Sequence, residues 1–187
     1  AARGIGAANT LSFAADGSIA AENTDAPGLI AALGARPQGL SALVLGAGGS
    51  ARAAVWALRE AGAAEVSIWN RTAQRATALA GELDARAVAS AQPADLLINC
   101  TSVGLRPEPQ ELAALALSAD RLADYGVVVD LVYRSGRTAL LEAAAEHGAR
   151  TIDGLEILVA QGALSLESWT GRQAPLQVMR MAAHAEH

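Results

Sequence analysis

The run Leu40-Ser41-Ala42-Leu43-Val44-Leu45 stops at Gly46-Ala47-Gly48-Gly49, and a stretch of helical composition, Ser50 to Ala61, follows at once. A short apolar run with no polar face fits a strand buried on both sides, and such strands belong to parallel sheets covered by helices. The alternation continues downstream. Val66 to Trp69 reads as a strand and Thr72 to Leu83 as a helix, with Thr72 able to cap its first turn. Arg86 to Val88, Asp95 to Asn99 and Val127 to Leu131 read as further strands. Thr138 to His147 is helical, Gly148 closes it, and Arg150 to Ile152 is the last candidate strand. The pattern predicts an α/β chain: a doubly wound parallel sheet with helices on both faces.

The two ends differ from this middle. Asn9 to Phe13 and Ser18 to Ala21 flank Asp16-Gly17, a hairpin turn pair. A lone hairpin is marginal in water, so it is expected to extend a larger sheet. Ala26 to Leu33 is a short helix, with Pro27 tolerated in its first turn. The segment around Pro107 and Pro109 is irregular. Leu155 to Trp169 and Ala174 to Ala185 read as two helices after the sheet is complete. The chain starts at Ala1 within a strand-like pattern, as a fragment or processed chain would.

Composition narrows the chemistry. Of the 187 residues, 52% are hydrophobic and 18% charged, which excludes a disordered chain. Fourteen basic against nineteen acidic residues leave a net charge of −5, which argues against a general nucleic-acid or anionic-membrane surface. Every basic residue other than histidine is arginine, so lysine-based catalysis cannot come from within this chain. The single Cys100 precludes a disulfide framework, and His147, His184 and His187 lack close ligand spacing, so no metal site is expected. No apolar run approaches the ~18 residues of a membrane span.

The glycine segment Gly46-Ala47-Gly48-Gly49-Ser50-Ala51 lies between a buried strand and a helix. Glycine there permits a sharp turn and a close approach of phosphates, and the helix start supplies free N–H groups and partial positive charge. Ala51 stands where the standard fingerprint has its third glycine. The reading is dinucleotide binding, weighed against a plain tight turn. At the end of the second strand, NAD-binding folds carry a carboxylate for the ribose hydroxyls. Here stand Asn70-Arg71-Thr72, with Arg75 one turn on. Arginine pairs with a ribose 2′-phosphate that a carboxylate would repel, so the run points to NADP; otherwise it is a solvated helix start.

Three weaker features remain open from residues alone. Asn99-Cys100-Thr101-Ser102-Val103-Gly104 ends a strand, where Thr101 and Ser102 either line a nicotinamide pocket or form a turn. Asn23-Thr24-Asp25 reads first as a helix cap. Asp153-Gly154-Leu155 with Gln161 reads as a helix start bearing one polar side chain, and Tyr133 belongs to either surface or site. Cys100 reads as packing, not as a nucleophile.

In order along almost the whole chain, these motifs resemble the shikimate dehydrogenase family: Gly6-Ala7-Ala8-Asn9-Thr10, Asn23-Thr24-Asp25, Gly46 to Arg52, Asn70-Arg71-Thr72, Asn99 to Ser102, Asp130-Leu131-Val132-Tyr133, Asp153-Gly154-Leu155 and Val159-Ala160-Gln161. The resemblance implies a Rossmann-like domain over 26–152, preceded by a remnant of a substrate domain at 1–25. It implies that the helices at 153–187 return toward that domain. It implies NADP-dependent reduction of 3-dehydroshikimate to shikimate, a cytoplasmic enzyme of aromatic amino acid biosynthesis. Asn9, Asp25, Tyr133 and Gln161 would meet substrate, with Asp25 the catalytic partner of a lysine in the missing part. Gly46, Ala47, Gly48, Gly49, Ser50, Ala51, Asn70, Arg71, Thr72 and Arg75 would hold NADP, and Thr101, Leu131 and Gly154 would lie near its nicotinamide. The partner is a small molecule, and a homodimer is left open. With its partner domain missing, the hairpin and final helices are expected to expose apolar surface. Alternatives are a quinate-type dehydrogenase, a glutamyl-tRNA reductase-like protein, and a stand-alone NADP sensor without catalysis.

Overall fold

The computed structural model describes residues 1–185. A single helical turn, α1 (Ala2–Ile5), precedes the hairpin strands β1 (Thr10–Phe13) and β2 (Ile19–Glu22) and the helix α2 (Asp25–Leu33). Then come β3 (Ser41–Leu45), α3 (Gly49–Glu60), β4 (Glu65–Trp69), α4 (Ala73–Glu82), β5 (Arg86–Ala87) and β6 (Leu96–Asn99). The remainder is α5 (Glu111–Ala114), a 3₁₀ turn at Ala119–Asp124, β7 (Val127–Asp130), α6 (Ala139–Glu146), β8 (Arg150–Ile152), α7 (Gly154–Thr170) and α8 (Leu176–Ala185).

The doubly wound sheet read from the sequence is what forms. Six strands pair in parallel in the order β5-β4-β3-β6-β7-β8, so the direction of winding reverses between β3 and β6. The period-2 geometry of a strand sorts its side chains. Ala42 and Val44 enter one core with Leu96, Ile98 and Val129, under α2, α3, α4 and α7. Leu43 and Leu45 enter the opposite core with Leu97 and Val128, under α5 and α6. Each such Leu, Ile or Val side chain contributes about 1.5–3 kcal/mol on burial, which is why an aromatic-poor chain can hold this sheet.

Two expectations need correction. The N-terminal residues form α1, not a strand: Gly6 takes φ 70° and its N–H returns to the Ala2 carbonyl at 2.9 Å, while Ile5 packs with Ala26, Ala53 and Ala57. The segment around Pro107 and Pro109 is irregular, as expected, and leads into α5 and the 3₁₀ turn, where Leu115, Leu117, Leu122 and Tyr125 cover the second face of the sheet. The hairpin joins no larger sheet among the described residues; it is a separate two-stranded unit. Its attachment is through α7, where Trp169 Nε1 donates to the Leu11 carbonyl at 3.0 Å and Ser165 bonds Thr10 at 2.7 Å.

The expected apolar exposure is present. Phe13 and Ile19 face each other across the hairpin at 74% and 61% exposure. Val178 and Met181 of α8 are similarly open, and no residue of that helix is buried. A two-pronged pair from Arg180 to Glu156, at 2.9–3.1 Å, ties α8 to α7 and holds the Glu156 carboxyl below its ordinary value. No described helix is long and apolar enough to cross a membrane.

Candidate functional site

The reversal between β3 and β6 opens a cleft at the carboxyl ends of the strands, where open α/β sheets bind their ligands. Gly46, at φ +112°, makes the turn out of β3 and donates its N–H to the Trp69 carbonyl at 2.8 Å. A Cβ on Gly46 would come within 3.0 Å of the Cys100 carbonyl, so the two loops approach as closely as they do only because glycine stands here. Gly48 starts α3 without any side-chain cap, and positions for a Cβ at Gly48 and Gly49 have no neighbour within 4 Å. Among the described residues, no side chain caps the first N–H groups of α3. Ala51 is fully buried against the core, which is why a small residue occupies that position.

A cavity of about 320 Å³ gathers Gly46, Ala47, Gly48, Asn70, Arg71, Arg75, Thr101 and Ser102, residues singled out from three separate stretches of sequence. Ser50 is half-buried at the start of α3. Asn70 Nδ2 donates to the Thr72 carbonyl at 2.9 Å and fixes the entry to α4. Thr72 occupies the cap position but its side chain makes no capping bond; Asn70 has taken over the ordering of that turn. Arg71 and Arg75 are exposed, and neither forms an ion pair within 4.0 Å among the described residues.

The opposite lip of the cleft is held from below. Asn99 Oδ1 accepts from Thr101 N at 3.0 Å and Thr101 Oγ1 at 2.8 Å, while Asn99 Nδ2 donates to Asp130 Oδ1 at 2.9 Å. Asp130 also accepts from Thr138 Oγ1 at 2.6 Å and Val132 N at 3.1 Å. Desolvation raises the Asp130 carboxyl above its ordinary value despite these bonds. Burial likewise pushes the Cys100 thiol far up, reinforced by Asp130 and Asp25, so the group stays protonated and behaves as packing. Leu131 packs against the first core, and a Cβ on Gly154 would strike the Leu131 and Val132 carbonyls, so α7 starts pressed against this segment.

A second cluster joins β1, α2 and α7. Asn9 Nδ2 donates to Asp25 Oδ1 at 2.7 Å, Thr24 Oγ1 at 3.0 Å and Gln161 Oε1 at 3.4 Å. The N-cap position of α2 is Thr24, whose side chain makes no capping bond; Asn23, one residue earlier, serves the helix start instead, its Oδ1 accepting from Ala26 N at 3.1 Å. Asp25 is thereby released from the capping role that residues alone suggest. Desolvation raises its carboxyl, and the Asn9 bond offsets part of that rise. Tyr133 stands apart: it is 47% exposed and lines a different hollow with Gly154, Arg137 and Asp153. The structure gives it no hydrogen bond to Asn9, Asp25 or Gln161 among the described residues.

Sequence reasoning missed some contributors. Ser165 bonds Thr10 at 2.7 Å and Thr24 at 3.0 Å beneath the Asn9 cluster. It lies one helical turn after Gln161, so the i, i+4 rule could have found it. Trp69, Val103 and Ala114 line the cleft. Trp69 directly precedes Asn70 and was within reach; Ala114 arrives from the irregular segment and carries no local signal.

Comparison with known proteins agrees with this geometry. A model described as shikimate/quinate 5-dehydrogenase matches residues 32–103, and one of the shikimate 5′-dehydrogenase C-terminal domain matches residues 154–184. A shikimate dehydrogenase (NADP(+)) of Thermus thermophilus is 49% identical over 174 residues, covering 91% of this chain and 64% of that protein. Its counterpart from Methanopyrus kandleri is 42% identical over 196 residues, covering 95% and 67%. Among solved structures, a shikimate 5-dehydrogenase of Thermus thermophilus in complex with NADP(H) and shikimate has TM-score 0.86 at 43% identity, covering 100% of this chain and 70% of that one. The ligand-free 5-ketofructose reductase of a Gluconobacter species has TM-score 0.88 at 34% identity, covering 100% and 71%. The chain spans about two thirds of the length of these relatives.

Proposed function

The chain belongs to the shikimate dehydrogenase family, and we propose that it supplies the NADP site and part of the substrate site of an enzyme interconverting 3-dehydroshikimate and shikimate. One observation carries the reading: a glycine cradle with no side-chain cap, at a helix start, shares a single cleft with two exposed arginines that form no ion pair among the described residues. The cradle fits a pyrophosphate, and Arg71 and Arg75 fit a 2′-phosphate. When bound, the reduced cofactor supplies the hydride.

The chain's own groups then divide the work. The free N–H groups of α3 would hold the diphosphate, and Asn70, Arg71, Thr72 and Arg75 the adenosine end. Thr101, Leu131 and Gly154 would bound the nicotinamide end. Asn9, Asp25 and Gln161 would bind the substrate hydroxyls, for which amides that both donate and accept are suited. Tyr133 would reach substrate from the rim. Asp25, as a carboxylate, would orient the lysine that family resemblance assigns to the part of the protein beyond this chain, and so control delivery of a proton to the developing alkoxide. In this reading residues 1–25 belong with the substrate domain, 26–152 form the cofactor domain and 153–187 return toward the substrate.

The test is to titrate the purified chain with NADPH and then add 3-dehydroshikimate. Binding without turnover is expected, since correct positioning is worth ~7–11 kcal/mol of barrier and the lysine is absent. The full-length protein should turn over 3-dehydroshikimate with NADPH. Failure of the chain to bind NADPH, or a full-length enzyme that reduces 5-ketofructose but not 3-dehydroshikimate, would overturn the proposal.

A further inference from the structure

We propose that Trp69 is the adenine-facing wall of the cofactor cleft and a determinant of its affinity for purine dinucleotides; this rests on the NADP reading above. Trp69 is the last residue of β4. Alternation places Val66 and Ile68 in the first core, and Trp69 packs against the second core, as Val103 does. Its carbonyl receives the Gly46 N–H at 2.8 Å, so it stands on the β4 side of the glycine turn, immediately before Asn70 and Arg71. The indole is half-buried, with part of its surface lining the cleft beside Arg71, Arg75, Val103 and Ala114.

The covalent structure of the cofactor does the rest. The 2′-phosphate and the adenine hang from one ribose. If Arg71 and Arg75 hold that phosphate, the base must lie within a few ångströms of them. A purine needs an apolar or aromatic face to leave water, and Trp69 is the aromatic residue among those lining the cleft. The chain's other two tryptophans stand elsewhere: Trp56 packs by Gly4, and Trp169 donates to the Leu11 carbonyl on the hairpin.

The probe is adenosine 2′,5′-bisphosphate, which carries the base and the 2′-phosphate but no nicotinamide to absorb tryptophan emission. It is titrated into the purified chain by calorimetry and by tryptophan fluorescence, with NADPH run alongside. The saturated parent should change its emission. Trp69→Phe should abolish that change yet keep affinity within about threefold, because a ring remains. Trp69→Leu, apolar enough for the core contact, should weaken binding about tenfold. Arg71→Ala should also weaken the probe but preserve the emission change at saturation. A parent that binds both ligands without changing emission, or a Trp69→Leu chain that binds as tightly as the parent, would overturn the inference while leaving the NADP reading in place. A parent that binds neither ligand would overturn the NADP reading, and this inference with it.

Discussion

Asn99 and Asp130 face one another in register at the ends of two adjacent parallel strands, joined by a 2.9 Å bond between fully buried side chains. Through Asn99 Oδ1 the pair sets Thr101, and through Asp130 it sets Val132 and Thr138, so one buried link positions both loops at the end of the cleft. Asp130→Ala leaves three partners unsatisfied and should cost about 3 kcal/mol. Asp130→Asn isolates the charge. Burial raises the native carboxyl, so the native state binds the proton more tightly than the unfolded chain. Between the ordinary value near ~3.9 and the raised native value, this group's contribution falls as pH rises. The stability of Asp130→Asn relative to the parent should therefore climb across that window. A flat difference in denaturation free energy against pH would show that ionisation of Asp130 costs nothing.

Gly28 tests how closely α2 and α7 must approach. A Cβ there would lie 3.0 Å from the backbone N and 3.0 Å from the Cβ of Gln161. Backbone cannot swing aside as a side-chain tip can, so Gly28→Ala should destabilise by about 1–3 kcal/mol. At about 2–4 °C per kcal/mol for a chain of this size, the melting midpoint should fall by several degrees. The same push would move Gln161 off Asn9, so full-length enzyme carrying the change should show a raised KM for substrate and an unaltered KM for NADPH. A variant with the parent's melting midpoint would mean that α7 yields freely.

The sheet was legible because β3, β4, β6 and β7 are short apolar runs bounded by glycine or polar turns, and burial on both faces leaves no competing pattern. The cleft was legible for the same local reason: Gly46 to Ala51 and Asn70 to Arg75 each follow a strand directly. What escaped depends on contacts distant in sequence. Nothing near Ala2 announces that Ile5 will be buried against α2 and α3 and so form a helical turn. Asn23 and Asp25 are equally good caps by type, and only the fold decides that Thr24 takes the N-cap position, that Asn23 Oδ1 meets the Ala26 N–H and that Asp25 turns to Asn9. The position of Tyr133 just after β7 left it as either surface or site, and only the family resemblance set it near substrate; its side chain lines a hollow shared with Gly154.

Arg71 should separate the two nicotinamide cofactors. It is exposed, and only NADPH carries the phosphate it would meet. A charge-assisted bond contributes about 1.5–3 kcal/mol, and exposure places Arg71 toward the lower end. Arg71→Ala should weaken NADPH binding roughly tenfold and leave NADH binding unchanged. Calorimetric titration of both cofactors checks this; equal losses for the two would assign Arg71 to general structure at the start of α4.

Asp25 is best judged in the full-length protein, where a lysine can face it. In this chain its carboxyl is raised by desolvation and partly stabilised by Asn9, and a charged lysine facing it in the full-length protein would pull it back down. The direction of the acid limb of kcat/KM follows from its role: a carboxylate must be ionised to hold a lysine in its charged, proton-donating form, so activity drops as pH falls through the Asp25 value. Asp25→Asn keeps the size and one acceptor oxygen but loses the charge. It should lower kcat about 10²–10⁴-fold, remove that acid limb, and leave NADPH affinity unchanged because the residue lies outside the glycine and arginine cleft. Asn9→Asp would add a second carboxylate at 2.7 Å and push the limb to higher pH by like-charge repulsion. Near-normal turnover in Asp25→Asn, or an acid limb that stays in place, would return Asp25 to a purely structural part in joining β1 to α2.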